Sequence, residues 1–367
     1  MPKILVAPLD WGLGHATRCI PIIRELVHLG CEVTIAASGQ TQVLLQKEFP
    51  ELSFLSLRGY GIRYGKRNVL GALFIQLPQI LRTLKYERQW LAEIVQKEKF
   101  DAIISDNRPG FYHPEIPSVY ITHQLQLESG MGKWANLLLL KLHKKFYQHF
   151  NEIWVPDLKT GSGLAGKLSH PRRLPENIYY IGPLTRFRQQ HEIIKNWNLL
   201  ILLSGPEPQR SIFEQVLFHQ LKQISDSVLL VRGLPANDTI PEGLAKNITV
   251  RNHLSATELE KEIAASSLIL CRSGYTTVMD LVFLQKKAVL VPTPGQTEQI
   301  YLAKHLLKNG GFPFINQKAF SLEKAIEMGH SYPYKKVVEN SSFGVYRNKL
   351  HEWVEKLKKP ATANISD

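Results

Sequence analysis

Residues 268–303 read LILCRSGYTTVMDLVFLQKKAVLVPTPGQTEQIYLA, and the rest of the chain can be arranged around them. The apolar run 268–270 reads as a buried strand of a parallel sheet. It stops at Cys271-Arg272-Ser273-Gly274, a tight turn, and 276–284 then carries apolar residues at helical spacing. A second apolar strand (288–291) follows, then a loop with Pro292, Pro294 and Gly295, then a helix bearing Glu298 and Gln299. A strand, a Ser-Gly turn and a helix start leave free backbone N–H groups and a positive helix end where a diphosphate can sit. Asp280, further along the first helix, is placed to accept hydrogen bonds from ribose hydroxyls, and Glu298 and Gln299 from sugar hydroxyls. The bland alternative is an ordinary βαβ unit of an α/β protein.

At 367 residues the chain is too long for one ordinary core, so two domains are expected. The 44% hydrophobic and 21% charged fractions are those of a water-soluble globular protein. Cys19, Cys31 and Cys271 have neither metal spacing nor a pairing pattern, which suggests a reducing compartment. The chain enters a strand at Lys3-Ile4-Leu5-Val6, so no signal peptide is expected, and no apolar run approaches the roughly 20 residues of a membrane span. The net charge of +13 is uneven: residues 1–190 hold 24 Lys and Arg against 15 Asp and Glu, and residues 191–367 hold 21 against 17. A basic first half favours an anionic membrane surface, a nucleic acid or an acidic substrate, and charge alone does not choose among them.

In the first half, 4–8 reads as a strand and 16–29 as a helix, joined by Asp10-Trp11-Gly12-Leu13-Gly14-His15. This is not the dinucleotide fingerprint, because Thr17 replaces the third glycine and the second strand (33–37) runs into Ala36-Ala37-Ser38 with no ribose-binding acid. The positive helix end favours a neutral His15 able to accept a proton. The fourth strand, 102–105, ends at Asp106. In a doubly wound sheet of order 3-2-1-4-5-6, strands 1 and 4 flank the crevice, which would bring Asp106 near His15 to orient its ring. Asp106 as a cap of the next segment is the alternative.

The second half repeats the arrangement. A strand over 198–203 ends at Ser204-Gly205-Pro206-Glu207-Pro208, and by the same topology this loop converges with 271–274 on a second switch point, an independent reason to place a diphosphate there. Asn252-His253-Leu254 follows the strand at 248–250. No P-loop and no Asp-x-Asp pair occurs anywhere, so neither a P-loop nucleotidase nor a metal-bound diphosphate is expected.

Arg272-Ser273-Gly274-Tyr275-Thr276-Thr277-Val278-Met279-Asp280, followed by Glu298-Gln299, resembles the nucleotide-sugar site of GT-B glycosyltransferases of family 28, which include the lipid II-forming N-acetylglucosaminyltransferase. That family has R-S-G-x-x-T-x-x-E/D and then an E/Q-Q pair; Asp280 is one methylene shorter than the usual Glu. Gly12-Leu13-Gly14-His15-Ala16-Thr17-Arg18 resembles the acceptor-side G-x-G-H-x-x-R loop, whose histidine serves several GT-B enzymes as general base. A similar turn occurs in the UDP-sugar hydrolase of the pseudaminic acid pathway.

The resemblance implies an α/β protein of two facing Rossmann-like, doubly wound parallel-sheet domains with a cleft between them. Residues 1–185 would be the acceptor side and 196–340 the nucleotide-sugar side, with a helix in 341–360 returning to the first domain. It implies an inverting, metal-independent glycosyltransferase with His15 as base, Asp106 orienting it, and Gly12, Gly14 and Arg18 forming the acceptor-side loop. Ser204, Gly205, Arg272, Ser273, Gly274, Thr276 and Thr277 would surround the diphosphate, with Asn252, His253 and Leu254 at the nucleobase, Asp280 at the ribose, and Glu298 and Gln299 at the sugar. The donor would be a UDP-sugar, with no cofactor besides, and no nucleic acid is expected as a partner. The acceptor is not identified by the residues, a lipid-linked one being among the candidates. Cytoplasmic placement is expected, with weak contact to an anionic membrane through 58–67 and through Lys141, Lys144 and Lys145 beside the apolar 137–140. A nucleotide-sugar hydrolase on the same fold and a catalytically idle sugar-nucleotide-binding module are the alternatives.

Overall fold

The computed structural model describes residues 1–61, 77–126, 132, 144–188, 196–205, 207–237, 239–241 and 243–358. Short apolar runs, alternating with helices, leave the central strands buried on both faces, which is the condition for parallel sheets. Strands β1 (Lys3–Pro8), β2 (Glu32–Ala37), β3 (Ser53–Ser56), β4 (Ala102–Asp106), β5 (Ser118–Ile121), β6 (Glu152–Val155) and β7 (Ile178–Tyr180) form one sheet of order β3-β2-β1-β4-β5-β6-β7. β7 goes beyond the six strands expected. Strands β8 (Trp197–Leu202), β9 (Val228–Val231), β10 (Ile248–Arg251), β11 (Ser266–Cys271) and β12 (Ala288–Leu290) form the other, of order β10-β9-β8-β11-β12. Every ladder is parallel. The fold is therefore two Rossmann-like α/β sheets, in each of which the strand order reverses between its first and fourth strands.

The helices are α1 (Leu13–His28), α2 (Gly39–Glu48), α3 (Leu77–Glu98), α4 (Gln209–Leu221), α5 (Ala256–Ala264), α6 (Tyr275–Phe283), α7 (Thr297–Lys308), α8 (Leu322–Ser331) and α9 (Val345–Lys358). Helix α1 begins three residues before the apolar spacing predicts. Gly12, at φ 93°, turns the chain directly from the end of β1 into the helix. That conformation is open to glycine and strained for a residue with a Cβ. His15 consequently stands inside the first helical turn.

Register decides what meets at the crevice. Pro8 pairs with Asp106, and Leu9 N–H donates to the Asp106 carbonyl at 3.0 Å. Cys271 pairs with Leu202 in the second sheet. The loops after β1 and β4, and after β8 and β11, thus leave their sheets side by side.

The last helix packs against the first domain. Trp353 of α9 meets Trp154 of β6 edge-on with ring centroids 5.4 Å apart, and Lys349 bridges Glu152 at 2.8 Å. Leu350 and Val354 are wholly buried beside it. No helix among the described residues is long and apolar enough to cross a membrane. The membrane-contact residues named from sequence lie largely outside the described residues: 62–67, 137–140 and Lys141 all do, while Lys144 and Lys145 are described.

Trp353→Ala empties one side of the Trp154 contact. It should lower the unfolding free energy by about 3–5 kcal/mol, the usual range for a buried aromatic truncated to alanine. Urea titration of the full chain reads this; a change below about 0.5 kcal/mol would show that α9 does not dock there.

Candidate active site

The carboxyl ends of β1 and β4 place three charged or titratable side chains around one carboxylate. Asp106, the last residue of β4, is fully buried. Arg18, one turn beyond His15 on α1 and also buried, donates Nε–H to Asp106 Oδ2 at 2.8 Å and an Nη–H to Oδ1. His15 Nδ1 lies 2.7 Å from Asp106 Oδ1. Burial pushes the Asp106 carboxyl up, but the Arg18 guanidinium and His15 outweigh it and hold the group well below the usual carboxylate range. His15 Nδ1 also lies 3.0 Å from an Nη of Arg18, but the nearer group is an ionised carboxylate that only accepts, so Nδ1 donates to Asp106 and Nε2 is the nitrogen left to accept. The His15 side chain is 17% exposed. The structure thus brings together the two residues that sequence topology placed at one crevice, and it adds Arg18 as the buried counter-charge between them.

Arg18 extends further. Its Nη1 donates to His123 Nδ1 at 2.9 Å, and His123 Nε2 lies 2.8 Å from Glu298 Oε1 in the first turn of α7, on the second domain. Gln124 Nε2 reaches the other Glu298 oxygen at 2.5 Å. His123 and Gln124 were not among the residues singled out from sequence. His123 follows β5 at the same carboxyl edge as Asp106, and that topological position is the signal that could have found it.

On the second domain, Thr276 in the first turn of α6 donates its hydroxyl to the Gly14 carbonyl at 2.9 Å. The turn expected to hold the diphosphate therefore abuts the residue immediately before His15. Ser204-Gly205, with Gly205 at φ 103°, follows β8, and Gly274 caps α6. A Cβ at Gly205 would lie 3.7 Å from Thr293 Oγ1, a buried hydroxyl with no hydrogen-bond partner among the described residues. Thr293 was not picked out from sequence; a lone threonine in a proline loop gives no periodic signal.

Several of the predicted donor-side residues brace loops in this structure. Arg272 is buried, donates to the Val291 and Gln209 carbonyls at 3.1 and 3.2 Å, and stands over the Phe213 ring, with burial pushing its guanidinium down to about 9. Ser273 donates to the Gln299 carbonyl at 2.9 Å, while Gln299 Oε1 accepts from Thr293 N–H at 2.9 Å. These pairs tie the turn after β11 to the loop after β12. Asn252 is likewise committed, accepting from Arg232 at 2.7 Å and donating to the Asn237 carbonyl at 2.7 Å. His253 and Leu254 are half-buried behind it, and burial lowers the His253 pKa. Thr277 is half-buried on α6, next to Thr276. Asp280 is 2% exposed; it accepts from Thr185 Oγ1 at 2.8 Å and lies 3.5 Å from Arg186 Nε, on the segment that leaves the first sheet. Beside it Arg24, Arg186 and Arg188 border a cavity of about 240 Å³.

Residues 214–340 match the family model of the glycosyltransferase family 28 C-terminal domain. The chain is 24% identical to an uncharacterized glycosyltransferase of Methanosarcina acetivorans over 81% of each protein. It is 21% identical to the UDP-N-acetylglucosamine–N-acetylmuramyl-(pentapeptide) pyrophosphoryl-undecaprenol N-acetylglucosamine transferase of Haemophilus ducreyi, covering 89% of this chain and 88% of that one. Among solved structures, the glycotransferase of kitacinnamycin superposes with a TM-score of 0.66 at 15% identity, over 97% of this chain and 99% of that chain. MurG of Acinetobacter baumannii does so with a TM-score of 0.53 at 14% identity, over 97% and 100%. The two parallel sheets, the matched second domain and the relatives aligned over four-fifths or more of the chain agree: the chain is a glycosyltransferase of the GT-B fold, similar to family 28.

Proposed function

We propose that the protein transfers a sugar from a UDP-sugar to an acceptor hydroxyl, with inversion at the anomeric carbon and without a metal, using His15 as general base. The observation that carries this reading is the contact of Thr276 with the Gly14 carbonyl. It sets the diphosphate turn of the second domain against the base-bearing turn of the first, so a donor in one domain faces the base in the other. Nε2 of His15 takes the acceptor hydroxyl proton as the new C–O bond forms and the bond to the diphosphate oxygen breaks. Asp106 stabilises the imidazolium that results. The leaving UDP carries its charge to backbone N–H groups at the start of α6, a role that helix N-termini fill without a metal.

UDP is favoured because the Haemophilus ducreyi relative is named for UDP-N-acetylglucosamine as its donor. The same name gives an undecaprenol-linked acceptor, which makes a lipid-carried acceptor, met at the inner face of the cytoplasmic membrane, the first class to test.

His15→Ala should lower kcat by about 10²–10⁴-fold with UDP-sugar affinity kept, since it removes the proton acceptor and nothing that binds the donor. His15→Ala is a cleaner variant than Asp106→Asn, because loss of the Asp106 charge strands a buried guanidinium at a cost of about 3–5 kcal/mol in stability. Full turnover by His15→Ala would move the base elsewhere, with Asp10 the next group to test. Activity abolished by EDTA and restored by a divalent ion would overturn the metal-free mechanism.

Asp280 gives a second test. Burial pushes its carboxyl up to about 6, with Arg186 and Thr185 only partly offsetting that. A carboxyl whose folded pKa is raised favours the folded state at low pH, and this contribution is lost as pH rises from about 4 through about 6. Asp280→Asn should therefore raise stability at pH 7 by about 1–3 kcal/mol relative to wild type and flatten the pH 4–7 dependence. The same variant should weaken UDP-sugar binding by about 1–3 kcal/mol if the carboxylate serves the ribose. Denaturant titrations at pH 4 and 7 with calorimetry read both; unchanged affinity would remove Asp280 from the donor site.

A further inference from the structure

The hydrogen bonds around Asp106 do not stop at the catalytic pair. They run from Asp106 through Arg18 and His123 to Glu298, crossing from the first domain to the second. We infer that His123, held by Arg18, is a positioning residue through which the acceptor domain aims the Glu298 carboxylate at the donor sugar. The sugar is then gripped fully only when the two domains are closed. This rests on the proposed UDP-sugar reading and assigns that site a component from the opposite domain.

Each link fixes the next. A guanidinium has donors and no acceptor, so Nδ1 of His123, facing Arg18 at 2.9 Å, must be the accepting nitrogen. The ring proton is then on Nε2, which faces Glu298 Oε1 at 2.8 Å. The ring is buried, and burial lowers the His123 pKa, in keeping with a neutral imidazole that donates in one direction only. Its plane is clamped by Tyr275, stacked at 4.1 Å and 10°, whose hydroxyl in turn donates to the Pro156 carbonyl. Both rings are thus locked across the domain boundary.

Glu298 is the outlet of this chain. One oxygen accepts a hydrogen bond from His123 Nε2–H and the other from the Gln124 amide, so both contacts come from the first domain. A carboxylate offers about four lone-pair positions, and these two bonds leave the others open. The side chain is 33% exposed, so those positions can accept sugar hydroxyls. Without His123 the carboxylate keeps one tether on a residue of another domain, and its direction is no longer set. What suffers is recognition of the sugar, because the nucleotide is bound by groups elsewhere in the second domain.

Calorimetry with UDP and with UDP-N-acetylglucosamine separates this role from a structural one. His123→Ala should leave UDP affinity within about twofold and weaken UDP-N-acetylglucosamine by roughly ten- to a hundredfold, the range of one lost charged hydrogen bond. His123→Gln, whose amide can accept from Arg18 and donate to Glu298, should recover most of that loss. Equal weakening of both ligands, or no recovery with Gln, would overturn the inference. If the wild type binds neither probe, the UDP-sugar reading fails on its own, and a ligand-free measurement still decides the chain. Imidazole ¹⁵N shifts of the wild type at pH 7 should show His123 as the neutral Nε2–H tautomer, altered in Glu298→Gln. A charged ring or an Nδ1–H tautomer in the wild type would overturn it.

Discussion

A buried carboxylate at the end of β4 is the constraint on which the site depends. Asp106 is shut off from bulk solvent, and an isolated ion there would be costly enough to neutralise. Arg18 supplies the counter-charge from one turn into α1, so the helix must sit at one angle and depth on the sheet. His15, three residues earlier on the same helix, is carried to the same carboxylate on the cleft side. The proposed base is thus oriented by an interaction whose loss would also disturb the packing of α1. Site geometry and fold stability share one ion pair.

The two domains meet through groups that satisfy one another. Thr276 reaches Gly14, Glu298 is held by His123 and Gln124, and Asp280 accepts from Thr185. Each of these three donor-side groups therefore has a partner from the first domain or the joining segment, whereas Arg272, Ser273 and Gln299 are paired within the second domain. A donor that binds here exchanges protein hydrogen bonds for its own. The net gain per exchanged bond is then small, which leaves discrimination to shape and to groups with spare acceptor capacity such as Glu298.

Much of this was legible in the sequence, for physical reasons. Apolar runs separated by helical stretches specify parallel strands, and the reversal of strand order puts the ends of strands 1 and 4 together; the proximity of Asp106 to His15 followed from that, while His15 itself was read from the helix start and the G-x-G-H-x-x-R turn. The Ser-Gly turn and the α6 start were read from local chemistry. Partners across the chain were not legible. Spacing shows that Arg272, Ser273 and Gln299 belong to one turn-and-loop unit, but whether their side chains face a ligand or brace the backbone depends on loops as distant as Gln209 and Val291. Asp280 lies beneath Thr185 and Arg186 because the chain leaving the first sheet crosses α6, and no periodicity encodes that crossing. His123 has meaning only beside Glu298, 175 residues away.

The direct displacement that this geometry supports has a stereochemical signature. The anomeric configuration of the first-formed product can be followed by ¹H NMR during turnover of UDP-α-N-acetylglucosamine, with an acceptor or with water in its place. The proposed single displacement on an α-linked donor requires the β product to appear first, before any mutarotation. An α product formed first would mean retention, and would contradict a single displacement assisted by His15.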